Sequence, residues 1–271
     1  MRFLYLGDIM GRSGRTAVVE RLPSLRVELK LDFVVANAEN AAGGFGLTEQ
    51  IAGDLFRAGV DCITTGNHAY DQREEIHLYE NDHRVLRPAN FPRSNPGRGA
   101  GLYQSEAGHQ VLVIQVHGQR FMNPMDDIPP AIEREMEGIK MGREVDAIIV
   151  DVHAEATSEK YSVGHWLDGQ VSLVVGTHTH VPTSDTQIFP GGTAFQCDAG
   201  MCGDYDSVIG MEKSGPVNSF LTKMRGPRMQ PAAGPATICG IMVETDRRSG
   251  LAVKAEPLRI GGRLSEAIPT I

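Results

Sequence analysis

The sequence predicts an α/β fold. Two observations carry that expectation: short apolar runs rich in β-branched residues recur along the chain, and helical-looking stretches separate several of them. Phe3-Leu4-Tyr5-Leu6 is the first run, followed by Phe33-Val34-Val35-Ala36, Cys62-Ile63-Thr64-Thr65, Ala147-Ile148-Ile149-Val150 and Leu173-Val174-Val175. Each gives way at its carboxyl end to polar residues. In order these are Gly7-Asp8, Asn37-Ala38-Glu39-Asn40, Gly66-Asn67-His68, Asp151-Val152-His153 and Gly176-Thr177-His178-Thr179-His180. The ligand crevice of an open α/β sheet lies outside the carboxyl ends of its strands, so the five clusters are expected to share one site.

Helices are expected over 16–29, 48–58, 128–141 and 157–166, the first broken or kinked at Pro23. The last third reads differently. Strands are expected over 193–197, 237–246 and 251–259, with Asp246-Arg247-Arg248-Ser249-Gly250 turning a hairpin between the last two. The Gly/Pro/Met-rich stretch 225–235 reads as a plain exposed loop.

Composition sets bounds on function. The 271 residues show no internal repeat, low-complexity tract or linker, and are expected to form a single domain over 1–271. A net charge of −8 without a long basic run argues against strong non-specific binding along nucleic acid. It leaves room for a small anionic substrate, because a bound metal reverses the local field. No apolar run is long enough to span a bilayer, and residues 1–8 reach an acid too soon for a good signal peptide, so a cytoplasmic location is expected. Cys62, Cys197, Cys202 and Cys239 form no C-x-x-C pair and read as reduced thiols in or near the core. A homo-oligomer is the general expectation for a soluble chain.

The five clusters carry metal-binding chemistry. Asp8 and Glu39 supply carboxylates, Asn40 and Asn67 amide oxygens, and His153, His178 and His180 imidazole nitrogens. His178-x-His180 puts two imidazoles on one side of an extended segment. A mixed imidazole and carboxylate set without thiolate suits manganese, iron or zinc better than calcium. Each element alone has a plainer reading as a turn, a helix cap or a satisfied core histidine; the ordered set favours metal. Beside it stand weaker candidates. His117 reads as a hydrogen-bonded structural histidine. Asp198 and Gly200-Met201-Cys202-Gly203 read as a substrate contact or a tight turn, and Glu155 as a ligand-orienting or a solvated acid. Gly43-Gly44-Phe45-Gly46 reads as a flexible connection, since no P-loop lysine follows.

The ordered motifs Gly7-Asp8, Asn37-Ala38-Glu39-Asn40, Gly66-Asn67-His68, His153-Ala154-Glu155 and Gly176-Thr177-His178-Thr179-His180 resemble the calcineurin-like metallophosphoesterase superfamily, and more closely its bacterial YmdB-like branch of cyclic-nucleotide phosphodiesterases. The resemblance implies a four-layer β-sandwich flanked by helices. It implies two metal ions, iron or manganese before zinc. Asp8, Glu39, Asn40 and His180 would bind the first. Glu39, Asn67, His153 and His178 would bind the second, with Glu39 bridging. It also implies His68 as general acid opposite a metal-bridging hydroxide, acting on a 2′,3′- or 3′,5′-cyclic nucleotide or a similar small phosphodiester. Two departures from the wider superfamily stand out: Met10 replaces a histidine in the first motif, and Ala69 replaces an acid after Asn67-His68, which leaves His68 without a named partner. The competing expectation is a regulatory protein that binds nucleotide or RNA ends in the same pocket with little turnover.

Overall fold

The computed structural model describes residues 1–224, 226 and 228–271. Its strands are β1 (Arg2–Leu6), β2 (Asp8–Ile9), β3 (Phe33–Asn37), β4 (Cys62–Thr64), β5 (Ala100–Gln104), β6 (Gln110–His117), β7 (Ala147–His153), β8 (Leu173–Thr177), β9 (Gln187–Ile188), β10 (Ala194–Gln196), β11 (Met201–Cys202), β12 (Ile238–Thr245) and β13 (Ala252–Ile260). The helices are α1 (Gly11–Glu28), α2 (Glu49–Ala58), α3 (His77–Asn81), α4 (Ile128–Glu135), α5 (Thr157–Trp166) and α6 (Ser214–Thr222).

The strands form two main sheets, ordered β13-β12-β1-β3-β4 and β5-β6-β7-β8-β10-β9, plus a short β2–β11 pair. Their runs are apolar without alternation because both faces are buried. Residues of β1 show the division. Phe3 and Tyr5 join Phe33, Val35, Val113, Ile149 and Val175 in the core between the sheets. Leu4 and Leu6 face the other way, onto Val18, Leu22 and Leu25 of α1 and Leu55 of α2. On the far side, Ile114, Ile148 and Val150 of the second sheet meet Ile132 of α4 and Val163 of α5. The order helix, sheet, sheet, helix is the expected four-layer arrangement. The predicted hairpin is β12–β13, paired antiparallel from Ile238–Ile260 to Thr245–Ala252. No helix among the described residues is long and apolar enough to cross a membrane.

Three local expectations need correction. Helix α1 runs unbroken through Pro23. Pro23 is exposed while Leu22 and Leu25 are buried, so the carbonyl four residues earlier can turn to water while the packed face holds the helix. Helix α4 stops at Glu135 rather than 141, and the chain turns away through Gly138 at φ 75°. The loop over 225–235 includes Arg225 and Pro227, which lie outside the described residues; of the rest, Met229 lines the site cavity, so the stretch borders the site. Helix α6 has no counterpart among the expected helices. It buries none of its residues, and Val217, Phe220 and Leu221 are exposed, so it offers no buried apolar stripe to read.

Replacing Pro23 restores an N–H to the middle of α1. Pro23→Ala is expected to raise stability by roughly 1–3 kcal/mol, the scale of a proline's cost inside a helix less the entropy it takes from the unfolded chain. Urea unfolding checks this, and an unchanged or lower midpoint would show that α1 already accommodates the ring without cost.

Candidate metal centre

The five polar clusters fall at the carboxyl ends of β1, β3, β4, β7 and β8, and the two packed sheets bring those ends together. Asp8, Glu39, Asn40, His153 and His180 are all buried. Around the Nε2 atom of His153 lie Asn67 Oδ1 at 2.9 Å, His178 Nδ1 at 3.1 Å and Glu39 Oε1 at 3.1 Å. Glu39, His153 and His178 each offer a ligand atom within 4.8 Å of one another. A second convergence sits alongside: His180 Nε2 lies 3.1 Å from Asn40 Oδ1. Asp8 stands by both groups. Its Oδ2 accepts the His178 N–H at 3.2 Å, and its Oδ1 is buried with no hydrogen-bond partner among the described residues.

Hydrogen positions decide what these contacts mean. His180 Nδ1 lies 2.8 Å from the Ile209 carbonyl, which can only accept, so Nδ1 carries a proton and, in the neutral ring, Nε2 presents a lone pair. Asn40 donates through Nδ2 to the Gly44 carbonyl at 2.9 Å, which fixes Oδ1 as the atom facing His180. With a neutral His180 ring, two acceptors face each other at 3.1 Å, a gap that a shared cation would close. The other centre orients its imidazoles in the same way. His153 Nδ1 is 2.9 Å from Thr177 Oγ1, whose hydroxyl donates to Asp151 Oδ1 at 2.8 Å. His178 Nε2 is 3.4 Å from Glu155 Oε2. Each histidine turns its outer nitrogen to an oxygen and its inner nitrogen to the site, the arrangement that orients imidazoles toward a metal. Donors each roughly 2.1 Å from one ion stand roughly 3 Å from one another, which is the spacing seen here.

Protonation follows from the same crowding. Burial would hold His153 down, but the Glu39, Asp8 and Asp151 carboxylates outweigh it and raise its pKa to about 9. Burial would raise Glu39, but His153 and the His68 N–H bring it down to about 2. Asp8 is raised to about 7 by burial, with Asp198 and Glu39 adding to the rise against His180 and His153. His178 is pushed down to about 3 by burial and by the charge on His153. A proton on His153 is therefore the cation this place holds when no metal is bound. One proton lies along one line and serves one acceptor; three acceptors around Nε2 call for a cation that all can reach. The residues present fit a metal of the iron, manganese or zinc kind, and the four cysteines are buried free thiols.

Sequence details explain themselves here. A Cβ at Gly66 would stand 2.4 Å from Glu39 Oε2 and from the His153 ring, so only glycine lets the chain after β4 pass against these side chains. His68 donates its backbone N–H to Glu39 Oε2 at 3.1 Å, and its ring lies edge-on to Phe45. The partner missing from the sequence reading is Asp71, whose Oδ2 sits 2.7 Å from His68 Nδ1. Its position three residues on is the signal: the chain turns after His68, with Asp71 N–H on the His68 carbonyl, and brings the acid back to the ring.

The weaker candidates resolve as well. Glu155 is the acid at the outer nitrogen of His178. Gly43-Gly44-Phe45-Gly46 is a hydrogen-bonded turn, with Gly44 N–H on the Asn40 carbonyl and Gly46 N–H on that of Glu39, rather than a loose connection; it delivers Phe45 to the cavity. His117 is buried beside His153, their ring centres 6.2 Å apart, but neither ring nitrogen has a hydrogen-bond partner among the described residues, contrary to expectation. Burial and the neighbouring His153 hold its pKa down to about 4, so it stays neutral. Asp198 is buried just behind Thr179 and does not itself line the cavity, and Met201 and Cys202 pair with Asp8 and Ile9 as β11 and β2.

The site opens into a cavity of about 390 Å³. His68, Glu155, His178 and His180 line its polar side; Phe45, Val208, Ile209, Met211, Pro216 and Met229 line the other. Among the described residues, no lysine or arginine lines it.

Two helix-flanked sheets with carboxylate, amide and imidazole groups gathered at their strand ends define a metallophosphoesterase-like fold. The chain belongs to the YmdB-like protein family, whose model matches residues 4–258. It is 40% identical over 260 residues to the 2′,3′-cyclic-nucleotide 2′-phosphodiesterase of Bacillus subtilis, covering 96% of this chain and 97% of that one. It superposes on a crystal structure of a hypothetical protein from Thermus thermophilus with a TM-score of 0.89 at 41% identity, covering 97% of this chain and 100% of that one. A crystal structure of a novel phosphatase from Mycoplasma pneumoniae gives a TM-score of 0.88 at 31% identity, with 96% and 93% covered.

Cation binding is expected to show in stability. Manganese at one hundred times its Kd should add about 2.7 kcal/mol to wild-type stability. The gain should vanish in His153→Ala. Thermal melts of metal-stripped protein with and without added manganese test this; equal midpoints in the wild type would mean that the acceptors do not bind manganese.

Proposed function

We propose that this protein is a metal-dependent phosphodiesterase acting on small diesters, with 2′,3′-cyclic nucleotides as its substrate class. The observation that carries this reading is the convergence of carboxylate, amide and imidazole groups at the strand ends, opening on a cavity that His68 lines. Asp8, Glu39, Asn40 and His180 would hold one ion, and Glu39, Asn67, His153 and His178 the other, with iron or manganese best suited to the donors. Such ions supply an activated water and charge stabilisation for the phosphoryl oxygens.

The chain's own groups do the rest. His68 delivers a proton to the departing oxygen. Asp71 accepts from Nδ1, fixes the ring and leaves Nε2 as the nitrogen that serves the substrate. The apolar wall from Phe45 to Met229 suits a nucleobase or another organic substituent. The absence of lysine and arginine from the described lining favours a diester monoanion, since a monoester dianion would call for a further cation. The 2′,3′-cyclic substrates are favoured over 3′,5′-cyclic ones by the activity that names the Bacillus subtilis relative.

The test is hydrolysis by manganese- or iron-loaded protein of 2′,3′-cyclic AMP, 3′,5′-cyclic AMP, an aryl phosphodiester and the matching monoester. His68→Ala should lower kcat on 2′,3′-cyclic AMP by about 10²–10⁴-fold, the usual worth of a positioned proton donor. The loss should be smaller on a nitrophenyl diester, whose leaving group needs little protonation. Asp71→Asn should fall between wild type and His68→Ala. Metal-loaded protein that binds 2′,3′-cyclic AMP and leaves it intact would instead be a nucleotide-binding regulator, and faster monoester than diester turnover would overturn the diester preference.

A further inference from the structure

The two histidines that end the β8 segment have unusual backbones. His178 has φ 95° and His180 φ 65°, the left-handed region that side chains other than glycine rarely enter. Such conformations persist only where surrounding contacts over-determine them. Between the two lies Thr179, and both of its polar hydrogens go to one atom. Its N–H donates to Asp198 Oδ2 at 3.1 Å and its Oγ1–H to the same oxygen at 2.7 Å. The other oxygen, Oδ1, accepts the Gly200 N–H at 2.8 Å. A third donor completes Oδ2: Lys160 Nζ at 2.8 Å.

Lys160 is an odd residue to find here. It lies on α5 and is 0% exposed, with its side chain and that of Asp198 enclosed together. A buried ion pair is a poor source of net stability, because both charges give up water. The fold nonetheless makes room for it. A Cβ at Gly176 would stand 2.6 Å from Lys160 Cδ and 1.8 Å from the Cys197 carbonyl oxygen, so the glycine that opens the Gly176-Thr177-His178 segment is what admits the lysine stem.

We propose that Lys160 and Asp198 are a positioning pair that holds His178 and His180 in their ligand geometry. Asp198 clamps the residue between the two strained histidines, and Lys160 neutralises a carboxylate that would otherwise be buried as a lone anion. Neither side chain lines the cavity; Asp198 holds Thr179 directly, and Lys160 acts through Asp198. The role rests on the metal-centre reading above, and partners of this kind alter metal affinity by about 10–100-fold when lost.

The test is the manganese dissociation constant of Lys160→Met/Asp198→Asn, measured by chelator competition, beside the melting midpoint of the same protein stripped of metal. The double variant removes both charges together, so no unpaired ion is buried. The expected result is a metal-free midpoint close to wild type with a dissociation constant raised about 10–100-fold. A purely structural role would lower the metal-free midpoint and leave the affinity of the folded protein unchanged, and an affinity within twofold of wild type overturns the proposal. Should the double variant fail to fold, Thr179→Val removes one clamp bond alone; a rise of about fivefold, one hydrogen bond's worth, supports the pair, and no rise overturns it. Wild-type protein that binds no manganese would sink the metal-centre reading itself, which separates that failure from this one.

Discussion

The structure depends on one buried carboxylate. Asp151 sits on β7 with no exposure, in the layer where the two sheets meet. It accepts from Tyr5 Oη at 2.6 Å, from Gln115 Nε2 at 2.9 Å and from Thr177 Oγ1 at 2.8 Å. Those donors come from β1, β6 and β8, so a single side chain joins both sheets just beneath their carboxyl ends. Burial raises its pKa, and the donors and His153 oppose the rise. Because Thr177 also meets His153 Nδ1, the charge between the sheets sets which nitrogen of His153 faces the site. Core and candidate chemistry are thus one hydrogen-bonded network, and a buried network of this kind is worth keeping only when every member is satisfied.

The parts of this design that are legible in the sequence are those with local signals. Unalternating apolar runs mark the buried strands, and the polar residues at their ends mark Asp8, Glu39, Asn40, Asn67, His153, His178 and His180 as one constellation. The structure gathers all of them. Signals fail where the outcome depends on what lies across space. Pro23 reads as a break because its exposure is not written in the residues around it. Asp71 escapes notice because a turn, not a motif, returns it to His68. His117 reads as hydrogen-bonded because a histidine after a strand usually is; here β6 carries it in register with His153, where no described donor or acceptor meets its ring. Lys160 escapes notice because a lysine on a helix is ordinarily solvated, and only Gly176 and Asp198, on other elements, bury it.

The cavity divides its labour by face. Its polar side is built from residues at the carboxyl ends of strands that are buried on both faces. The apolar side comes from loops and the start of α6, which no sheet register constrains. On the proposed reading, such a division would let the organic part of the substrate change while the reaction centre stays, because residues such as Val208 and Met229 lie outside the strands.

The spacing of the site along the chain also has a kinetic meaning. Asn40 and His180 are 140 residues apart, Asp8 and His178 170 apart, and Asn67 and His153 86 apart. No segment of the chain holds a complete set of these groups by itself, and contacts of such separation are made only after loop closure has been met across most of the molecule. A cation bound there, on the proposed reading, would therefore have no complete set to grip early in folding and would not be its template. On that reading it would find its place only once both sheets have docked, and would act as a latch on the finished native state.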